Sequence, residues 1–259
     1  MQTVLFTSTI FGPIHSRRLG TSLGVNLMPN DGKICSFDCL YCEAGYNAQG
    51  PGTTGVATRE AVKRALRKKL VAMREAGEAL DSITFSGNGE PTLHPQFKDI
   101  VHDVVNLRNQ YFPQARVTVL SNATTASRPA VMKALKMVDN NVLKLDSAIA
   151  MTMLALNRPV SHNVIPEGLI TDLQAFAGQC IVQTMMVRGT HEDKIIDNTT
   201  DVEVDALINA YLKIKPREVM LYTIDRATPE QHLEKVGAEE LQRIARRIEA
   251  AGIAVQVNA

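Results

Sequence analysis

The strongest constraint on the fold is a regular alternation of short apolar segments with longer amphipathic ones. Five apolar segments have the length and the two-sided hydrophobicity of strands buried in a parallel sheet. They span residues 82–86, 116–121, 141–146, 180–187 and 218–224. An earlier strand is predicted over 22–28 and a last one over 252–258. Strands that alternate with helices in this way imply a parallel sheet with right-handed crossovers.

The segments between these strands have helical periodicity. In residues 58–76, Val62, Leu66 and Leu70 recur every four residues among basic side chains, which places them on one face of a helix. The same kind of pattern predicts the remaining helices. They span residues 95–110, 128–138, 165–178, 201–213 and 238–251.

The number of strand–helix units limits the choice of α/β architecture. Roughly six units fit, fewer than the eight of a closed barrel. An open, partial barrel and a doubly wound sheet both satisfy the pattern, and in either one ligand-binding residues follow the carboxyl ends of the strands. Thr58 and Asp201 suit helix N-caps, and Gly252 suits a helix end. Because no linker is evident, residues 1–259 are predicted to form a single domain.

Composition excludes several classes of protein. A hydrophobic content of 45% is enough for a large core, and the net charge of +1 argues against a dedicated polyanion binder. The N-terminal segment lacks the basic region of a secretory signal, and no apolar run is long enough to cross a bilayer. We therefore expect a cytoplasmic protein with no membrane partner, in which clustered cysteines indicate metal or redox chemistry.

Three of the four cysteines lie in the segment KICSFDCLYCEAG, residues 33–45. Three residues separate Cys35 from Cys39, and two separate Cys39 from Cys42. Unconnected buried thiols, a zinc site completed by a distant ligand and a [4Fe–4S] cluster with one open iron are the three interpretations. The cluster is favoured because an open iron can bind S-adenosylmethionine (SAM), whose sulfonium then accepts an electron.

This spacing, with the aromatic Tyr41 directly before the third cysteine, resembles the signature of the radical SAM superfamily. The segment TFSGNGEPTLHP (84–95) resembles the Gly-Gly-Glu segment that follows the second strand in that superfamily. Together with GPIHSRRLGTSLGVNL, it resembles a subgroup of Fe–S oxidoreductases related to wyosine-type tRNA synthetases. The resemblance covers about residues 20–225 and implies a partial (β/α)6, TIM-like barrel with parallel strands and with extensions at both ends.

The resemblance also implies the cofactors, a [4Fe–4S] cluster held by the three cysteines and SAM. It places Tyr41 and the end of the sixth strand, at Tyr222, beside the adenine. It assigns the segment Gly87, Asn88, Gly89 and Glu90 to the amino group of SAM, although an ordinary strand-to-helix turn is the alternative.

Other polar residues are placed by the strands themselves. Asn122, Asp146 and Ser147 follow strand ends, where they suit either ribose and carboxylate contacts or helix N-caps. Lys144 lies on the same strand face as Asp146, which predicts an ion pair. Gln183 lies within an apolar strand and either faces the cavity or satisfies a polar neighbour.

Arginines near strand ends are candidates for an anionic substrate. These are Arg17, Arg18, Arg158 and Arg226, for which surface ion pairs are the alternative. The basic run 59–69 is interpreted as a solvated helix face, or else as a docking site for RNA or an acidic electron donor. The fourth cysteine, Cys180, opens a strand and is predicted to be buried and inert.

Three functions remain open. The first is a radical SAM enzyme that abstracts hydrogen from a small molecule or a nucleotide, with an external one-electron donor of the flavodoxin or ferredoxin type. The second keeps the same cluster and takes tRNA or a protein as its substrate. The third, a non-enzymatic iron–sulfur carrier or zinc module, is weakest, because a carrier needs no Gly-rich ligand turn.

Overall fold

The computed structural model describes residues 4–16 and 18–259. The strands are β1 (Ile10–Ser16), β2 (Gly20–Val25), β3 (Ser82–Phe85), β4 (Arg116–Ser121), β5 (Asn140–Lys144), β6 (Cys180–Met185), β7 (Val187–His191), β8 (Lys194–Asp197), β9 (Glu218–Tyr222), β10 (Leu233–Lys235) and β11 (Val255–Asn258). The helices are α1 (Arg59–Glu75), α2 (Phe97–Tyr111), α3 (Pro129–Leu135), α4 (Ala150–Asn157), α5 (Pro166–Gln174), α6 (Asp201–Ile214) and α7 (Ala238–Ala250).

Eight strands form one curled sheet in the order β1-β2-β3-β4-β5-β6-β9-β11. Only β1 is antiparallel to its neighbour, and all the other pairs are parallel. From β2 to β9 the spatial order follows the chain order, whereas a doubly wound sheet reverses direction at a switch point. The sheet is therefore a half-barrel, which confirms the predicted partial barrel.

The helices bury one apolar stripe each. In α1 the buried residues are Val62, Leu66, Leu70 and Met73, at the spacing of a single helix face. The hydroxyl of Thr58 accepts a hydrogen bond from the Ala61 amide at 3.2 Å and caps α1 as predicted.

The N-cap predicted at Asp201 is wrong. Thr200 caps α6 instead, because its hydroxyl accepts a hydrogen bond from the amide of Glu203, and Asp201 is the first helical residue. Gly252 follows the end of α7 with a φ of 82°, a left-handed conformation that favours glycine.

Several elements were not predicted from the sequence. They are β1, helix α4 and a small antiparallel sheet with the order β10-β7-β8. The strand β1 makes a hairpin with β2 and so adds an edge to the half-barrel. None of the helices in the described residues combines the length and the hydropathy needed to cross a membrane.

Candidate functional site

A cavity of about 500 Å³ lies inside the half-barrel and at the carboxyl ends of its strands. Most of the residues predicted to bind a cofactor line it. They are Cys35, Cys39, Tyr41, Cys42, Gly87, Gly89, Glu90, Asn122, Gln183 and Tyr222. Since they follow or end several different strands, the half-barrel brings together residues that are far apart in the chain.

The three cysteines lie on the loop between β2 and α1. This loop folds on itself, because the Cys42 amide donates to the Cys39 carbonyl at 3.1 Å and the Gly45 amide donates to the Cys42 carbonyl at 2.9 Å. Burial raises the pKa of Cys35 to about 12 and that of Cys39 to about 11. Both thiols therefore stay protonated at neutral pH unless they bind a metal, and metal binding releases their protons.

A buried lysine, Lys33, adjoins the cysteine loop and was missed in the sequence. Its side chain is 1% exposed, and its Nζ donates to the Gly45 carbonyl at 2.7 Å and lies 3.4 Å from Asp38 Oδ1. Burial alone would lower the pKa of Lys33, but the nearby Cys42 and Cys35 and the carboxylate of Asp38 raise it. A positive charge therefore lies beside the thiols.

The donor set fits an iron–sulfur cluster. Three cysteine thiols line one cavity, and soft thiolates are the ligands that iron–sulfur clusters use. In the described part of the chain, no three His, Cys, Asp or Glu side chains lie close enough to share one metal ion. The amides of Asn122 and Asn157 point at sulfur, with Nδ2 3.6 Å from Cys35 Sγ and 3.5 Å from Cys39 Sγ.

The segment after β3 requires two glycines. Gly87 and Gly89 have φ values of 143° and 138°, and a Cβ on Gly89 would lie 1.9 Å from the carbonyl oxygen of Ile34. Gly89 pairs with Ile34 in a short parallel bridge. The absence of a side chain thus lets this segment pack directly against the loop that carries the cysteines.

The side chain of Asn88 does not line the cavity. It is fully buried, and its amide bonds the backbone of Phe6 and the carbonyl of Pro29. Asn88 therefore fastens the N-terminal segment to the half-barrel.

Glu90 lines the cavity, yet its carboxylate already has protein donors. Oε1 accepts hydrogen bonds from Thr92 and from the Ser121 hydroxyl, the latter at 2.8 Å. Oε2 accepts one from the backbone amide of Asn122 at 2.6 Å. Burial raises the pKa of Glu90, and these hydrogen bonds partly oppose the rise. We call Cys35, Cys39, Cys42, Glu90 and Asn122 the cysteine wall.

The predicted ion pair between Lys144 and Asp146 is present, with 3.5 Å between Nζ and Oδ2. Asp146 is fully buried and also accepts from Asn157 at 2.6 Å and from the hydroxyl of Tyr41. Burial alone would lower the pKa of Lys144, but the charge of Asp146 raises it well above its usual value. Lys144, and not Asp146, faces the cavity, where its Nζ lies 3.4 Å from the Tyr222 hydroxyl.

Ser147 also lies outside the cavity lining. Its hydroxyl donates to Glu203 at 2.7 Å and accepts from the Ile149 amide at 2.9 Å, so it orders the turn before α4. The alternative of a helix N-cap does not apply to Ser147, because α4 begins at Ala150 and Ile149 holds its N-cap position.

The four predicted substrate arginines are placed differently. Arg18 lines the cavity with its guanidinium carbon 4.7 Å from the centre of the Tyr222 ring. Arg226 lies at the rim and pairs with Glu43 at 2.7 Å. Arg158 lies outside the cavity, over the Tyr46 ring, so its predicted substrate role is not supported. Arg17 lies outside the described residues.

Most of the basic run on α1 is exposed, which agrees with both a solvated face and a docking site. Lys63, Arg64, Arg67 and Lys68 line a groove of about 650 Å³ between α1 and α2. This groove contains none of the residues predicted to bind a cofactor or substrate.

Comparison with known proteins gives relatives that match most of the chain. The model of the radical SAM superfamily matches residues 30–147. A UPF0026 protein of Synechocystis sp. is 30% identical over 233 residues, which cover 86% of this chain and 77% of that protein. A UPF0026 protein of Helicobacter pylori is 30% identical over 220 residues, which cover 84% and 66% of the two chains.

A third relative is longer still. A Brachyspira hyodysenteriae protein named GTPase Obg is 26% identical over 249 residues, which cover 95% of this chain and 34% of that protein. The chain thus spans between a third and two thirds of the length of several of its relatives.

Solved structures share the fold. A radical SAM methyltransferase from Sphaerobacter thermophilus has a TM-score of 0.65 at 17% identity, covering 92% of this chain and 65% of its own. A structure of TYW1 with a lysine–pyruvate adduct has a TM-score of 0.59 at 13% identity, and the match covers 90% of this chain and 75% of the TYW1 chain. At these identities the likeness describes the half-barrel alone.

Proposed function

Because the chain belongs to the radical SAM superfamily and to the UPF0026 family, we propose that it cleaves SAM reductively and abstracts hydrogen from a small molecule or a nucleotide. Enzymes of this superfamily use a [4Fe–4S] cluster and SAM. When bound, the cluster supplies one electron to the sulfonium of SAM, which releases methionine and a 5′-deoxyadenosyl radical. The electron comes from an external donor, for which we propose a flavodoxin or a ferredoxin.

One observation carries this proposal: three thiols share a cavity with a glycine-rich segment that packs directly on their loop. Cys35, Cys39 and Cys42 would hold three irons and leave the fourth open. Gly87 and Gly89 would let SAM approach the backbone closely.

The other predicted cofactor contacts form the rest of the cavity surface. Asn122, Tyr41 and the backbone at Tyr222 would line the SAM molecule, and Gln183 faces the same cavity. Glu90 orients this surface, since its carboxylate accepts the Asn122 amide hydrogen and so fixes the chain after β4.

The charges of the chain suit a cluster that gains an electron. Lys33 places a buried ammonium beside the thiols, which opposes the negative charge of thiolate ligands. Lys144 keeps its charge because the carboxylate of Asp146 balances it.

The test is anaerobic reconstitution of the purified protein with iron and sulfide, followed by reduction with SAM. We expect about four irons per chain and formation of 5′-deoxyadenosine. Cys39→Ala should lose both, whereas Cys180→Ala, which removes a buried thiol at the start of β6, should keep both. An iron content unaffected by Cys39→Ala would overturn the proposal.

A second candidate substrate is RNA, which the exposed basic groove between α1 and α2 favours. Its test is the affinity for tRNA across a salt series. A steep loss of affinity with salt that is reduced by Arg64→Gln and Lys68→Gln supports it, and an affinity unaffected by these changes rejects it.

A further inference from the structure

The cavity has a second wall, formed by Arg18, Gln183, Tyr222 and Asn258, which we call the hairpin wall. Gln183 lies on β6, within the sheet, and the other three residues lie at or next to its two edges, which come into contact where Arg18 meets Tyr222. Arg18 is in the turn of the β1–β2 hairpin at one edge, and Tyr222 is on β9, next to the last strand at the other edge. Asn258 of β11 is the direct neighbour of Tyr222 in the parallel ladder.

The cations that line the described part of the cavity differ in their charge partners. Lys144 is paired with Asp146, and Arg226 is paired with Glu43. Among the described residues, Arg18 forms no ion pair, and its guanidinium lies on the face of Tyr222. Stacking holds the plane of the guanidinium and leaves its N–H edge for another partner.

Two amide side chains of the same wall also lack proper acceptors in the described structure. Asn258 is 8% exposed, and within the described structure its Nδ2 is buried with no hydrogen-bond partner. The Nε2 of Gln183 has a single weak contact, 3.9 Å from the sulfur of Met220. A buried donor without an acceptor is costly, and the cost is removed when a ligand supplies the acceptor.

From this concentration of unmatched donors we propose that the hairpin wall binds an anionic group of the substrate, a carboxylate or a phosphate. Arg18 binds the anion through its N–H edge, and Asn258 and Gln183 donate to the same group or to an adjacent oxygen. The inference rests on the proposed function, since it assigns the substrate class of the same cavity. The cofactor would lie at the cysteine wall, and the substrate between the two walls.

The test measures binding on the reconstituted protein loaded with SAM, so that the carboxylate of SAM is already bound. Inorganic phosphate, acetate and the neutral acetamide are titrated by calorimetry. We expect at least one of the two anions to bind in the millimolar range and acetamide to show no binding. The preferred anion then distinguishes a phosphate substrate from a carboxylate one.

Three variants test whether the anion binds at the hairpin wall. Arg18→Gln should lower the affinity for the preferred anion about tenfold or more, which is the effect of losing a hydrogen bond to a charged group. Asn258→Asp, which keeps the side-chain shape but adds a negative charge beside Arg18, should abolish anion binding. Arg246→Gln, at an exposed position on α7, should leave the affinity unchanged.

The outcomes separate this inference from the proposed function. If iron loading and 5′-deoxyadenosine are normal but neither anion binds better than acetamide, the hairpin wall inference is wrong and the proposed function stands. Equal affinities in wild type, Arg18→Gln and Asn258→Asp overturn it as well. If no cluster forms, the proposed function fails first, and anion titration of the cluster-free protein still tests the wall.

Discussion

The cysteine wall and the hairpin wall face one cavity, but they differ in how their polar groups are satisfied. In the cysteine wall, Glu90 accepts hydrogen bonds from three neighbouring residues, and Asn122 bonds both Ser36 and Thr124. In the hairpin wall, Arg18 has no ion pair and Asn258 has an unpartnered buried nitrogen, as far as the described residues extend. The carboxylate and amide groups of the first wall are satisfied within the described part of the protein, whereas those of the second wall are not. Substitutions should therefore reduce stability at the first wall and ligand affinity at the second.

The largest effect is expected from Gly89→Ala, which breaks the contact behind the cysteine wall. A Cβ would lie 1.9 Å from the Ile34 carbonyl oxygen, so the cysteine loop must move. We expect a loss of more than about 4 kcal/mol in the free energy of unfolding, measured by urea denaturation.

The matched control for that change is Gly178→Ala. Gly178 also has a positive φ, 72°, but nothing lies within 4 Å of its added Cβ. Gly178→Ala should lower the free energy of unfolding by about 1 kcal/mol. Equal losses at the two glycines would show that the contact with Ile34 does not hold the loop.

Asp146→Asn should have the next largest effect. It leaves the buried ammonium of Lys144 without its counter-charge, which costs about 3 kcal/mol or more. The double change Lys144→Met, Asp146→Asn should recover part of this loss in thermal or urea unfolding. A double variant no more stable than Asp146→Asn would argue that the charge of Lys144 is balanced elsewhere.

Asn122→Ala should cost about 2 kcal/mol, because it removes hydrogen bonds to Ser36 and to Thr124. Urea denaturation of the cluster-free protein isolates this loss from any effect on iron loading. A variant as stable as wild type would contradict the view that the polar groups of the cysteine wall are satisfied within the protein.

Lys33→Met should make the bound cluster harder to reduce. Removing a buried positive charge near the thiols should lower the midpoint potential by about 60 mV, equivalent to about 1.4 kcal/mol for one electron. Potentiometric titration followed by electron paramagnetic resonance measures the shift. Lys63→Met, on the exposed face of α1, is the control and should leave the potential unchanged.

The smallest effect is expected from Asn258→Ala, which should change the free energy of unfolding by no more than about 0.5 kcal/mol. Its buried nitrogen has no partner to lose in the described structure. Because Asn122→Ala makes the same replacement in the cysteine wall, comparing the two variants tests the difference between the two walls. A loss as large as that of Asn122→Ala would remove the distinction.

Much of the fold could be predicted because buried parallel strands are apolar on both faces. The strand predicted at 116–121 has those bounds, and the helix predicted at 201–213 ends one residue later. Helix α4 was missed because its apolar residues are spread around the axis: Met151 is 83% exposed and Met153 is 1% exposed. The strands of the small sheet were missed because they are short and partly polar, so their sequences show no hydrophobic periodicity.

The candidate site could be predicted where its signal is local. The spacing of Cys35, Cys39 and Cys42 lies within one loop, so the sequence itself displays it. The direction of a polar side chain at a strand end depends on distant partners instead. Asn88 bonds a residue 82 positions away, and Ser147 bonds one 56 positions away. The sequence does not show these contacts.

The open side of the half-barrel affects which molecules can enter. A closed barrel encloses a volume set by its strand number, and a ladder of backbone hydrogen bonds bars entry from the side. Here the side chain of Arg18 reaches across to Tyr222, and a side chain moves aside by rotation about single bonds. Entry at this place is therefore limited by side chains and not by a closed ladder of backbone hydrogen bonds.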